Sequence, residues 1–396
     1  MLVFAMSQDT QTARVPWYLW VGLFGSSCAP IGIDWDISWH HTIGRDTFFT
    51  PPHMTVVMCV VAAAVTSIYV LSVATFGRSA AAAQLRAVSI NVFGMRAPTG
   101  VFLAAWGGLS MLTASWFDNW WHAAYGLDAV MFSLPHTLLM LSMLCIELGN
   151  ILLLVATLNR TTLSGQAQPR GQTTARTLQR LMLYQSGLLV LNMLVLVADY
   201  TLRVRLHSSS PYVYCALLVP VLFAGLAPAS RSRWACTTMA AVYTVIVMVE
   251  VLVLPLFPAV PRLGPIGHMV THYIPQPFPL LIVVPALALD LLWQRTAAWR
   301  RWQVVVVSAV VFVAVLLAAE WPFATFLNSA AAENRFFGSQ YLGYQISPGT
   351  PEMEHGWVKV AHGMALVRGM VRATVYGCVS MALGVAAGGW LRRVQR

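Results

Sequence analysis

The sequence predicts an all-α protein, a polytopic bundle of transmembrane helices. Of its 396 residues, 58% are hydrophobic and only 10% are charged, whereas about a quarter of the residues of a soluble domain are charged. The apolar residues are gathered into stretches of roughly 20, the length that a helix needs to cross the hydrocarbon core of a bilayer. We predict about ten such spans, at 16–33, 54–76, 98–117, 136–158, 180–201, 211–229, 235–257, 276–293, 303–320 and 361–390.

The arginines predict how these spans are oriented. Most of them fall in every second connection and near the two termini, and loops rich in Arg and Lys face the cytoplasm. We therefore expect a multi-pass protein of the bacterial inner membrane with both termini in the cytoplasm. The formal net charge of +10 is dispersed over short loops, which is not the pattern of a nucleic-acid-binding face.

The histidines follow the opposite pattern. All ten fall on or near the predicted periplasmic side, and most of the acidic residues lie there too. A single histidine in a loop is ordinarily no more than a polar group. The shared placement of the whole set indicates a common role at the outer surface.

Two segments near the start of the chain repeat each other. Each reads Asp, three residues, His, three residues, Gly, one residue, Asp, and then, after six or seven residues, a His preceded by Pro. The first copy consists of Asp36, His40, Gly44, Asp46, Pro52 and His53, and the second of Asp118, His122, Gly126, Asp128, Pro135 and His136.

The spacing within each copy predicts a metal site. A step of four residues on a helix places two side chains on one face, so Asp36 is expected beside His40. A proline suits the first turn of a helix, which puts His53 at the outer mouth of the second span, and a short loop can return it to the pair. Two imidazoles and a carboxylate suit copper, zinc or non-haem iron. The predicted ligands are Asp36, His40 and His53 of one site, and Asp118, His122 and His136 of the other.

Four further residues are predicted to support these ligands or to add to them. Asp46 and Asp128 are placed to accept the second ring N–H of a ligating imidazole, to serve as additional ligands, or to cap their loops. His268 and His272 form a pair four residues apart before a proline-rich segment. That pair indicates either a third metal site or two ordinary interfacial histidines.

At these residues the sequence resembles the C subunit of the copper membrane monooxygenases, the family of particulate methane and ammonia monooxygenases. The family pattern is Asp-x3-His followed by a second His in a run similar to 45–53 of this chain. Its second constellation begins with Asn, where this chain has Asp118. The resemblance covers residues 15–160. We therefore treat 1–160 as a metal-binding half and 161–396 as additional transmembrane helices, with periplasmic loops at 258–275 and 321–360.

The resemblance implies a copper-dependent monooxygenase subunit that activates dioxygen at the periplasmic side and hydroxylates a small apolar substrate or ammonia. It also implies other monooxygenase subunits, among them a periplasmic cupredoxin-like chain, a quinol or protein electron donor, and a homo- or hetero-oligomer in the lipid bilayer. The alternative is a non-catalytic membrane protein that handles or delivers copper. A membrane diiron hydroxylase is disfavoured, because its histidine pairs lie on the cytoplasmic side.

Overall fold

The computed structural model describes residues 15–44, 48–125, 133–165, 169–262, 270–296, 298–334, 336–337 and 359–396. Nearly all of its regular structure is helical. The elements, in chain order, are α1 (Trp17–Thr42), α2 (Pro51–Phe76), α3 (Ala80–Ala87), the hairpin β1 (Ile90–Val92) and β2 (Met95–Ala97), α4 (Thr99–Tyr125), α5 (Leu134–Gly165), α6 (Pro169–Val195), α7 (Ala198–Thr201), α8 (Ser210–Ser230), α9 (Ala235–Val253), α10 (Val283–Trp293), α11 (Arg301–Leu327) and α12 (Gly363–Leu391).

The all-α prediction is confirmed, and among the described residues seven helices are long and apolar enough to cross a membrane. This set is consistent with a multi-pass membrane protein. It comprises α2, α4, α5, α8, α11, α12 and α9 with the short 3-10 turn that follows it. One buried apolar cluster draws residues from both 1–160 and 161–396, so the two parts of the chain pack against each other.

Several helices run beyond the spans that hydropathy predicts, and two of these extensions, in α1 and α4, carry predicted site residues. The first predicted span ends at residue 33, whereas α1 continues to Thr42. The third predicted span ends at 117, whereas α4 continues to Tyr125. Hydropathy marks only the apolar part of a helix, whereas the backbone stays helical while its hydrogen bonds are satisfied. The added turns matter because they carry the Asp-x3-His half of each repeat.

The eighth predicted span, 276–293, is wrong over its first part. Only Val283–Trp293 is helical, and the preceding stretch from Val270 is non-helical. Prolines at 275, 277 and 279 lack an amide hydrogen and disfavour a helix there. The non-helical backbone is satisfied by buried side chains instead. Leu280 donates its N–H to the Tyr243 hydroxyl at 3.0 Å, and Leu281 donates to Glu320 Oε2 at 2.8 Å.

Close backbone approaches fix the two helix pairs that carry the repeats. In the pair α1–α2, a Cβ built at Gly25 would lie 2.6 Å from the Ala62 Cβ. In the pair α4–α5, a Cβ at Gly149 would lie 2.5 Å from the Gly100 carbonyl oxygen and 2.7 Å from the Ala104 nitrogen. Each pair therefore holds its helices at a separation that only glycine permits.

Replacing Gly149 with Ala is expected to destabilise the protein, because the added methyl meets backbone atoms that cannot rotate away. The expected cost is about 1–3 kcal/mol, as for other overpacked interiors, and the midpoint of thermal unfolding should fall by several degrees. The matched control is Gly389→Ala on α12, where an added Cβ has no atom within 4 Å. Because alanine favours a helix over glycine, that control should be neutral or slightly stabilising. Equal effects of the two substitutions would contradict the packing argument.

Candidate metal centre

The first repeat folds into a compact group of three donors. Asp36 lies between two histidines, with Oδ2 3.3 Å from His40 Nε2 and Oδ1 3.3 Å from His53 Nε2. One potential ligand atom from each residue lies within 4.8 Å of the others. The structure thus brings together the three residues that the spacing predicted as ligands.

Two helix ends place these side chains. Asp36 and His40 lie four residues apart near the end of α1, so they share a face of the helix. His53 is in the first turn of α2, where the N-cap Thr50 accepts its backbone N–H at 3.4 Å and prolines occupy the two preceding positions. The predicted role of Pro52 in beginning this helix is therefore confirmed. The capping Thr50, which was not among the predicted residues, follows the usual preference for Thr at that position.

A backbone carbonyl orients the His53 ring. His53 Nδ1 lies 2.8 Å from the Phe48 carbonyl oxygen, which can only accept a hydrogen bond, so Nδ1 carries the proton. In the neutral ring this leaves Nε2, which faces Asp36 at 3.3 Å, as the nitrogen with a free lone pair. Ligating histidines usually donate their second N–H in this way, which fixes both tautomer and ring direction. Phe48 is a supporting residue that no sequence pattern indicated, because its contribution comes from the backbone.

The second repeat forms the same arrangement on α4 and α5. Asp118 Oδ1 lies 3.3 Å from Nε2 of both His122 and His136, and Ser133 accepts the backbone N–H of His136 at 3.3 Å, as Thr50 does in the first copy. The two imidazole rings are 5.8 Å apart at 53°, compared with 6.0 Å at 54° in the first group. The sequence repeat is therefore also a repeat of side-chain geometry.

The donor atoms fit a shared cation better than they fit hydrogen bonds between the side chains. The separations of 3.3 Å exceed the roughly 2.7–2.9 Å of a charge-assisted hydrogen bond. Oδ1 of Asp36 and of Asp118 is buried without a hydrogen bond of ordinary geometry, although each lies within ion-pair distance of a histidine. Two donors bound to one ion at about 2.1 Å and a near-tetrahedral angle lie roughly 3.4 Å apart. Copper, zinc and non-haem iron all accept this donor set.

The two groups are neighbours. The Phe48 ring stacks on Trp116, with centroids 6.1 Å apart and planes at 14°, and Trp116 precedes Asp118 by two residues. Phe48 therefore contacts the first group through its carbonyl and the second group's helix through its ring.

Of the other four predicted site residues, only His272 lies within the described part of the chain. Asp46, Asp128 and His268 lie outside the described residues. His272 pairs its Nδ1 with the Thr271 hydroxyl at 2.9 Å and belongs to neither three-residue group. His41, one residue after His40 and therefore about 100° further around α1, also belongs to neither group.

Comparison with known proteins adds no assignment, since no family model, curated protein or solved structure matches the chain.

Proposed function

We propose that the chain is a subunit of a copper-dependent membrane monooxygenase, with copper held by Asp36, His40 and His53 and by the equivalent residues of the second repeat. The observation that carries the proposal is the duplicated geometry. Two groups with matching donor types, distances and ring angles lie side by side at the polar ends of apolar helices. Their spacing along the chain resembles that of the copper membrane monooxygenases.

In this proposal the protein's own residues hold and orient the metal. Each carboxylate contributes the negative charge that offsets part of the cation's charge, and each pair of imidazoles contributes neutral nitrogen donors. The Phe48 carbonyl keeps the His53 nitrogen directed into the first site. Bound copper would supply the redox chemistry that activates dioxygen for hydroxylation of a small apolar substrate or ammonia.

The proposal includes a location and partners. The arginine distribution supports a position for the sites at the periplasmic face of the inner membrane. Hydroxylation by dioxygen consumes reducing equivalents at every turnover, so the proposal includes a quinol or a partner protein as the electron donor. A periplasmic cupredoxin-like chain and further subunits belong to the proposed assembly.

Delivery of copper without turnover is the second candidate, and exposure of the first site favours it. The His40 side chain is 33% exposed, so an ion held there can exchange with the surroundings. The two functions differ in a measurable way. A monooxygenase consumes oxygen when substrate and reductant are present, whereas a delivery protein loses its copper to an acceptor and consumes none.

The direct test is metal content and X-ray absorption of the protein in lipid nanodiscs. We expect two copper ions per chain with nitrogen and oxygen ligands. His40→Ala and His122→Ala should each remove one ion, and the double variant should remove both. His362→Ala is the matched control, because that histidine is exposed at the start of α12 and lies outside both groups, and it should keep both ions. Absent metal, or metal unaffected by the first two substitutions, would overturn the proposal.

A further inference from the structure

Helix α1 has a second polar face besides the one that carries the metal ligands. Asp34, Ser38 and Thr42 follow one another at four-residue intervals, and all three are buried. They precede or follow the ligands Asp36 and His40 by two positions, which is about 200° around a helix. The last turns of α1 therefore carry metal donors on one side and buried polar groups on the other.

The non-helical segment 270–276 covers this second face. The Ser38 hydroxyl donates to the Ile274 carbonyl, and the Ile274 N–H donates to Thr42 Oγ1 at 2.9 Å. The Gln276 amide donates to the Asp34 carbonyl at 2.8 Å. Both backbone groups of Ile274 are thus bound by side chains of α1, and these contacts are buried.

The second repeat differs at the same positions. Trp116, Trp120 and Ala124 stand where the first copy has Asp34, Ser38 and Thr42. The two tryptophans are 62% and 55% exposed, and Ala124 is exposed as well. The ligand face is duplicated, whereas the buried polar face is found only in the first copy.

We propose that Ser38 and Thr42 are positioning residues for the first site alone, through their hydrogen bonds to segment 270–276. This inference rests on the proposed metal-binding function. By holding the end of α1 against a segment from the later part of the chain, the two hydroxyls fix the direction from which Asp36 and His40 meet the metal. They also give residues 161–396 a role at a site whose ligands all come from 1–160.

The test compares one substitution in two backgrounds. Thr42→Val keeps the side-chain shape but removes the hydroxyl that accepts the Ile274 N–H. It is combined with His122→Ala, which leaves only the first site, and with His40→Ala, which leaves only the second. Copper affinity is measured in nanodiscs by competition with a chelator of known affinity. We expect the dissociation constant of the first site to rise about tenfold, the usual effect of losing a residue that supports a ligand, and that of the second to change less than about twofold.

Two further variants separate positioning from general stability. Thr42→Ser keeps the hydroxyl and should restore the affinity of the first site. Thr66→Val removes a buried hydroxyl whose hydrogen bonds go only to carbonyls of its own helix, the nearer being Ala62 at 2.8 Å, and should leave both sites unchanged.

The outcomes distinguish this inference from the function on which it rests. If both backgrounds bind copper but Thr42→Val weakens neither site, or weakens both equally, the positioning role is overturned and the metal sites stand. If neither background binds copper, the proposed function fails and this inference fails with it.

Discussion

Removing both site carboxylates, with Asp36→Ala and Asp118→Ala in one chain, is expected to abolish copper binding and any oxygen consumption that depends on it. Each carboxylate is 3.3 Å from both histidines of its group. Its loss removes the only anion of that group and leaves two neutral imidazoles. We expect affinity at each site to fall by at least about a hundredfold, the upper end of what losing a mere supporting residue costs. Metal analysis after dialysis, followed by oxygen uptake with candidate substrates, measures both effects.

The control for this variant is Asp199→Ala. Asp199 is an exposed carboxylate on α7, outside both groups, so its removal changes the protein's charge without touching a proposed ligand. The control should keep two ions and full oxygen uptake. If the double variant also keeps its copper, the carboxylates are not ligands, and the metal is held by the histidines alone or at another place on the chain.

The local part of each site could be predicted from the sequence because helix geometry is regular. A four-residue step on a helix is enough to put Asp36 beside His40, and a proline near the start of a helix is enough to put His53 in its first turn. The repeat strengthened both predictions, since the same spacing returns at Asp118. These inferences need only the helical period and the preference of Pro for the first turn of a helix.

The supporting contacts could not be predicted, because they depend on packing between distant segments. Nothing in the sequence pairs Ser38 with Ile274, which lie 236 residues apart. The Phe48 carbonyl acts through the backbone, which every residue has. The eighth predicted span failed for a related reason. Its prolines disfavour a helix, but the sequence does not show which groups bind the backbone of a non-helical segment. Those groups are the side chains of Tyr243 and Glu320, which come from other helices.

Metal is expected to stabilise the fold strongly, since each group joins ligands from two helices. A ligand that binds only the folded state stabilises it by about 4 kcal/mol when its free concentration is 1,000 times its dissociation constant. Two independent sites should therefore contribute about twice that amount. Adding copper to the chelator-treated protein should raise the midpoint of thermal unfolding by several degrees or more. Unfolding in nanodiscs, followed by tryptophan fluorescence or calorimetry at fixed metal concentrations, measures the shift.

The size of this shift in variants tests whether the two sites act separately. His40→Ala and His122→Ala should each lose about half of the metal-dependent stabilisation, and the double variant should lose all of it. Magnesium is the matched control ion, because it prefers an octahedral set of oxygen ligands and each group offers a single carboxylate and two imidazoles. It should leave the midpoint unchanged in every variant. Equal stabilisation by copper in the wild type and the double variant would mean that copper binds elsewhere on the chain.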